Sequence, residues 1–381
     1  MPLTTSFWRL SSLCALAMLP APIEAADVGN EAPVFHEEKL REIDATIERA
    51  ISDKKCPGGV LWIEHRGVAY HRAYGSRALE PTRELMTEDT IFDAASLTKV
   101  VATTPAIMLL IQRGQIELDA PASRYWPEFA AHGKEAVTIR HLMTHTSGLR
   151  PGLGGKAEGR DVVLREVCEE KLVTPPGAQF RYSDINFITL GALVQFVTKR
   201  PLENFCDTEV FAPLGIKDTM FQPAAGMTER IAPTTRDVSR GVVHDPTARR
   251  MGGVAGHAGL FTTAGDLAVY ARIFFLKGAP LFQPATVRQM TAVQSPDAIW
   301  DWRGLGWDID SPYAGQRGGR FSLEGYGHTG WTGGSLWIDP GSRTFVIFLS
   351  NRNHPTESGS VIGLRRALGT LAAEALVDAP E

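Results

Sequence analysis

The chain has 381 residues, 44% of them hydrophobic, and a formal net charge of −4. That length and composition supply a large buried core, in one big domain or two interleaved ones. No basic footprint exists, so nucleic acid is excluded as an expected partner.

The first 25 residues place one early cation, Arg9, ahead of a mostly apolar run at 10–19 and then Pro20-Ala21-Pro22-Ile23-Glu24-Ala25. This order predicts a secretory signal, 1–25, whose apolar run is too short to span a membrane. The mature chain is therefore expected to be exported, periplasmic or secreted, with no transmembrane segment. Cys14 lies inside the apolar run in a poor lipid-attachment context. Cys56, Cys168 and Cys206 remain, which permits at most one intramolecular disulfide. No spacing pairs them and no C-x-x-C occurs, so free thiols are expected.

Residues 37–51 repeat apolar positions at Leu40, Ile43, Ile47 and Ala50, the helical period. Residues 59–65 and 68–74 flank Arg66-Gly67 and read as a β-hairpin. A polar connection at 76–87 leads to the short extended run Thr90-Ile91-Phe92. Ser96 then opens the apolar segment 97–111, which stops at Gly114, so Ser96 is placed at a helix N-terminus. Pro105 predicts a bend inside that helix. Helices are expected at 161–170, 185–198 and 265–275, with a glycine-rich loop between Met251 and Gly259.

Towards the C-terminus the period changes to that of strands at 335–339 and 344–349, joined by Pro340-Gly341-Ser342, and 361–377 closes the chain as an amphipathic helix. The fold class this gives is α+β. An antiparallel β-sheet, built from 26–95 and 300–381, is flanked by the N- and C-terminal helices, a mostly helical domain at 96–299 is inserted, and the site lies between them.

Three stretches carry chemistry. In Ser96-Leu97-Thr98-Lys99 the lysine sits one helical turn above the serine on the same face. A serine hydroxyl needs a neighbour to take its proton, and a lysine serves where burial or nearby positive charge favours its neutral form. Ser52 and Lys55 share the spacing, but only Ser96 stands at a strand-to-helix switch. Alone, the motif reads more readily as an N-cap serine and a solvated lysine. Tyr182-Ser183-Asp184 follows the breaker Pro175-Pro176-Gly177, and its phenol is a proton relay or a packed core aromatic. His328-Thr329-Gly330-Trp331 feeds into a strand, where glycines permit close backbone approach to a ligand or simply make a turn.

Taken in this order, with long spacers, the three stretches resemble the serine hydrolases of the class C β-lactamase superfamily, which includes penicillin-binding DD-carboxypeptidases and esterases. Residues 139–149, 256–264 and 304–307 add to the resemblance. It implies Ser96 as nucleophile, Lys99 and Tyr182 as its proton-handling partners, and the backbone N–H groups of Ser96 and Trp331 as an oxyanion hole. It further implies substrate contacts from Asp184, His328, Thr329 and Gly330, with neither metal nor organic cofactor. Two positions depart from the pattern. Asp184 stands where the family often has asparagine, and an ionised carboxylate only accepts hydrogen bonds; pairing with Lys99 would hold that lysine charged and leave Tyr182 as the base. His328 stands where β-lactamases have lysine, making a fixed charge conditional on pH.

Other patterns are set aside. His141 and His145 have zinc-site spacing, but Leu142 occupies the glutamate position. Residues 252–256 lack the lysine of a phosphate loop, and no G-x-S-x-G occurs. His257 is read as a loop histidine satisfied by backbone groups. The expected function is that of an exported serine hydrolase acting on a small-molecule or peptidoglycan-derived acyl substrate. D-alanyl-D-alanine carboxypeptidase or β-lactamase-related activity leads; a carboxylesterase on small acyl esters and a penicillin sensor that stays acylated are the alternatives.

Overall fold

The computed structural model describes residue 1 and residues 34–377, so the signal pattern at 1–25 lies outside the described residues. Helix α1, Glu37–Ser52, buries Ile43, Ile47 and Ala50, and its first-turn Glu37 and Glu38 favour the positive end of the helix dipole. The hairpin follows as β1, Gly58–His65, and β2, Val68–Ala78, in the register His65 to Val68. Arg66 and Gly67 both have positive φ, 51° and 89°, the geometry a two-residue hairpin turn requires.

A short β3, Glu84–Leu85, lies beyond β2, and the sheet is completed from the far end of the chain. Before those strands come β4, Phe92–Asp93, and helices α2, Thr104–Gln112, α3, Ile139–Met143, α4, Arg160–Glu169, α5, Asp184–Thr198, α6, Leu202–Cys206, and α7, Ala212–Leu214. Then follow β5, Met220–Phe221, α8, Pro246–Arg250, β6, Leu260–Thr262, α9, Ala264–Phe275, and α10, Pro284–Thr291. The last elements are β7, Trp302–Arg303, β8, Asp308–Asp310, β9, Tyr326–Thr329, β10, Ser335–Asp339, β11, Thr344–Ser350, and α11, Ile362–Glu374. Eight antiparallel strands make one sheet in the order β3-β2-β1-β11-β10-β9-β8-β7, and β4-β6-β5 form a small second sheet.

The first and last strand pairs of the chain meet where β1 pairs with β11, Leu61 opposite Phe348. Side chains on these strands alternate between two cores, as the pleat dictates. Leu61, Ile63, Val346 and Phe348 pack under α1 and α11. Val60, Phe345, Ile347 and Leu349 face the main core, which continues into α2, α5 and α9. Phe348 is fully buried, and truncating it to alanine would cost about 3–5 kcal/mol.

The helix after Ser96 differs from expectation in where it adjusts. Residues Lys99–Thr103 form a π-helical turn that runs into α2, with Thr104 N–H donating to Lys99 O. Pro105 has no N–H, and the carbonyl of Val100, five residues earlier, instead accepts the Tyr270 hydroxyl at 2.6 Å. Cys56, Cys168 and Cys206 are free thiols. Among the described residues no helix is long and apolar enough to cross a membrane.

Candidate active site

Ser96 lies in a tight turn between β4 and the π turn. Ala95 takes a left-handed φ of 45°, and the carboxylate of Asp93 holds the turn by accepting Ala95 N–H at 2.8 Å and His244 N–H at 2.6 Å. Burial pushes the Asp93 carboxyl up, and those two N–H groups oppose it. The Ser96 hydroxyl caps no helix. It opens instead on a cleft of about 380 Å³ lined also by Tyr182, His328, Trp331, Arg352 and Arg365.

Lys99 is fully buried, and its ammonium has two hydrogen-bond acceptors and one ion-pair partner. Nζ lies 2.9 Å from Ser96 Oγ, 3.1 Å from His257 O and 2.8 Å from Asp184 Oδ1. Burial alone would lower its pKa, but the Asp184 charge and the Tyr182 oxygen outweigh it and hold the group above the usual lysine value. Lys99 is thus an ammonium with no lone pair to accept the Ser96 proton.

The Tyr182 ring lies with its centroid 5.0 Å from Lys99 Nζ. It stacks on His145, centroids 4.4 Å apart, with Tyr313 at 5.5 Å and His328 at 6.0 Å. The extended segment carrying it is fixed at both ends: Arg181 N–H donates to His145 O, and Asp184 N–H, opening α5, donates to Pro151 O. His145 Nδ1 accepts from Ser183 N–H at 3.1 Å and lies 3.3 Å from Asn186 Nδ2, so its ring is neutral. Burial, then Arg303 and Lys99, push its pKa well down. His141 serves elsewhere, accepting Thr138 N–H in a capping box for α3.

His328 and Thr329 end β9, and the chain turns through Gly330 to Gly334, where Gly330 N–H donates to Gly334 O at 2.7 Å. A Cβ on Gly330 would stand 2.6 Å from Ala94 O, so this turn presses directly on the Ser96 turn. Among the described residues, the N–H groups of Ser96 and Trp331 make no backbone hydrogen bond. Two arginines brace the turn through its carbonyls. Arg365, on α11, donates to Gly330, Gly333 and Gly334 O at 2.6, 3.3 and 2.8 Å. Arg352 donates to Trp331 O at 2.7 Å and lies 4.7 Å over the Trp331 ring. Burial takes Arg365 down to about 9, with Arg352 adding to the shift, which leaves it charged at neutral pH.

His328 is buried, its Nδ1 2.8 Å from Thr329 O, and burial, Arg303 and Lys99 put its pKa well below the ordinary histidine value. The charge expected to depend on pH at this position is therefore absent at neutral pH. The cations of the cleft are Arg303, Arg352 and Arg365, and Arg303 is paired with Asp308 at 3.4 Å.

His257 also departs from expectation. Its ring, 2% exposed, is held by the Asp245 carboxylate, Nε2 to Oδ1 2.9 Å, while its carbonyl accepts a hydrogen bond from Lys99 Nζ. Oxygen or nitrogen atoms of Asp184, Asp245 and His257 lie within 4.8 Å of one another, a spacing that would suit a metal. The Lys99 ammonium, already paired with Asp184, supplies a cation from the protein itself. No sequence period links residues twelve apart, so Asp245 was invisible as a partner of His257. The helix start Asp245-Pro246 was its only local sign.

The family model described as Beta-lactamase matches residues 43–370. A Salmonella agona (strain SL483) protein named "Putative D-alanyl-D-alanine carboxypeptidase" is 30% identical, over 84% of this chain and 84% of its own. One of the same name from Escherichia coli (strain K12) is 29% identical, over 91% and 89%. Among solved structures, a penicillin-binding protein homologue from Caulobacter crescentus superposes with a TM-score of 0.72 at 20% identity, covering 91% of this chain and 99% of that one. EstCE1, a hydrolase with promiscuous acyltransferase activity, superposes with a TM-score of 0.73 at 21% identity, covering 88% and 99%.

Proposed function

The chain belongs to the beta-lactamase family of serine hydrolases, and from that premise we propose that it is an exported D-alanyl-D-alanine carboxypeptidase working through an acyl-Ser96 intermediate. The observation that carries this reading is the 2.9 Å contact of a buried ammonium with a cleft-facing serine hydroxyl. Ser96 Oγ attacks the carbonyl of the scissile peptide. Its proton relays through the Tyr182 hydroxyl to the leaving amine, since Lys99 is already protonated. The C–N bond breaks, the C-terminal residue departs, and water cleaves the ester to return the Ser96 hydroxyl. Lys99 stabilises the developing charge on Oγ, and the N–H groups of Ser96 and Trp331 receive the oxyanion. Export rests on the pattern at 1–25.

A carboxypeptidase needs a cation for the terminal carboxylate of its substrate. Arg352 and Arg365 line the cleft and, among the described residues, neither has an ion-pair partner. Of the two candidates that the sequence offers for this part, His328 and Arg352, the second keeps it, and Arg365 joins it. Thr329 and Gly330 form the strand end along which the substrate lies, and Asp184 acts on Lys99 rather than on the substrate.

The neutral ring at 328 favours a second reading, an esterase for small acyl esters that carry no carboxylate. Intact-protein mass spectrometry over time, with a D-alanyl-D-alanine peptide, a labelled penicillin and a short-chain ester, separates the readings. Peptide trimming with a transient Ser96 adduct supports the carboxypeptidase. Ester loss without peptide trimming supports the esterase, and a penicillin adduct that persists without turnover supports a sensor. Ser96→Ala is expected to abolish every turnover; wild-type rates in that variant would sink all three.

A further inference from the structure

The chain at Gly256-His257 is fixed from three sides. A Cβ on Gly256 would stand 1.9 Å from Phe187 O, so the loop lies hard against α5. Thr103 Oγ1, in the π turn that begins at Lys99, donates to Gly256 O at 2.7 Å. The third hold is the His257 ring on Asp245, whose Oδ1 also accepts Ala248 N–H at 2.7 Å to cap α8. The outcome is a carbonyl at residue 257 that points at Lys99 Nζ, 3.1 Å away.

We propose that Asp245 and His257 are positioning residues that act through Lys99: the hydrogen bond between their side chains clamps residue 257, whose carbonyl accepts one ammonium N–H, and so keeps that ammonium on Ser96. Rotation of the Lys99 side chain would forfeit this acceptor. Of its three polar contacts, one is the nucleophile, one is the Asp184 carboxylate, met as an ion pair, and the third is the acceptor supplied by this clamp. The pair also brings a second carboxylate towards the lysine. Burial alone would raise the Asp245 carboxyl, but His257, Ala248 N–H and the Lys99 charge hold it well below the usual range. The other titratable groups that face Lys99 are Asp184 and Tyr182, which favour its charge, and His145 and His328, which are neutral. The ammonium therefore answers to two carboxylates, Asp184 in contact and Asp245 behind the clamp.

This inference rests on Ser96 being the nucleophile. Its test is the rate of Ser96 acylation by a labelled penicillin, measured from pH 6 to 11 on the full chain, in wild type, Asp245→Asn and His257→Gln. Asparagine keeps the cap on α8 and removes only the charge, which separates folding from positioning. In Asp245→Asn, acylation at neutral pH is expected to fall about 10- to 100-fold, the scale of a small misplacement of a reacting group. Losing a carboxylate makes the ammonium easier to deprotonate, so the alkaline limb of the profile moves to lower pH. His257→Gln shows the same fall. Wild-type rates in both variants overturn the inference, as does a uniform loss with an unmoved alkaline limb, which marks a scaffolding role alone. Peptide mapping of the adduct keeps the two claims apart. An adduct away from Ser96 sinks the proposed function and this inference with it, whereas an adduct on Ser96 with an unchanged profile sinks this inference only.

Discussion

Lys99 Nζ lies 2.8 Å from Asp184 Oδ1 while it donates to Ser96 Oγ at 2.9 Å. One residue thus joins the nucleophile to a carboxylate at the third position of the Tyr182-Ser183-Asp184 motif. An amide there would leave Lys99 to share its proton with its surroundings; the carboxylate commits it to the charged form. In the proposed reaction the labour of moving protons then falls to Tyr182, and Lys99 acts by its charge.

Asp184→Asn tests that division. Lys99 has a folded-state pKa above its ordinary value, so its ion pair contributes stability that is fully present below about pH 10.4 and is lost as pH rises through the folded value. Removing a partner from a buried pair costs about 3–5 kcal/mol, and the part-exposed Asp184 brings this nearer 2 kcal/mol. Urea midpoints at pH 8 are expected to be lower in the variant, with the gap closing as pH rises through the raised folded-state value of Lys99. Equal midpoints at pH 8 would show that the pair does nothing for the fold.

Acid should destabilise the protein through His145 and His328. Both have folded-state pKa values lowered well below 6.5, while the unfolded chain protonates them near that value. The unfolded state then binds more protons below pH 6.5, so stability falls as pH drops through that point. Each ring contributes up to about 1.4 kcal/mol per pH unit. Comparing urea unfolding of wild type and His328→Gln between pH 7.5 and 5 isolates one of them. The variant is expected to lose less stability on acidification; identical slopes would mean that His328 is charged in the fold.

These predictions turn on contacts of different legibility. Ser96 and Lys99 are three residues apart across the turn that opens a helix, Lys99 N–H donating to Ser96 O, so their meeting follows from local spacing, and the hairpin at Arg66-Gly67 follows from alternation around a turn. The main strands and α1, α4, α5, α9 and α11 were legible for the same local reason. Contacts across the chain were not. Arg365 reads as one more residue of a closing amphipathic helix, yet its guanidinium reaches three carbonyls beside the cleft. His145 was visible as half of a zinc spacing and inside the familial stretch 139–149, but its place under the Tyr182 ring is set by packing between α5 and the segment after α3. His328 kept its position in the motif but not its charge, because charge depends on burial and on Arg303, which lies 25 residues away in sequence.

Gly330→Ala should separate the two candidate oxyanion donors without unfolding the sheet. The added methyl would stand 2.6 Å from Ala94 O, a backbone atom that cannot rotate away. Either the Trp331 turn or the Ser96 turn must retreat. Loss of one oxyanion donor lowers kcat by about 10²–10³, and a comparable fall in ester and peptide turnover is expected, with a near-normal circular dichroism spectrum. Unchanged kcat would exclude the Trp331 turn from the reaction.

Arg365 and Arg352 should fail in different ways, although both are cations on the cleft. Arg365 spends its fork on Gly330, Gly333, Gly334 and the Gln316 amide, so its first task is to shape the turn. A lysine keeps the charge but is a point donor that cannot span three carbonyls. Arg365→Lys is expected to lower kcat for a neutral ester and for a D-alanyl-D-alanine peptide alike. Arg352 donates to Trp331 O and Gly359 O, lies near the Glu357 charge without an ion-pair contact among the described residues, and is half-buried, which leaves its charge available to a carboxylate. In Arg352→Gln the amide can still donate to Trp331 O, and the charge is gone. A hydrogen bond to a charged group contributes about 1.5–3 kcal/mol, so KM for the carboxylate-terminated peptide should rise about tenfold or more while ester turnover changes little. Steady-state kinetics on both substrates decide it: an equal effect on ester and peptide in Arg352→Gln would remove that residue from carboxylate recognition and leave it as a second brace of the turn.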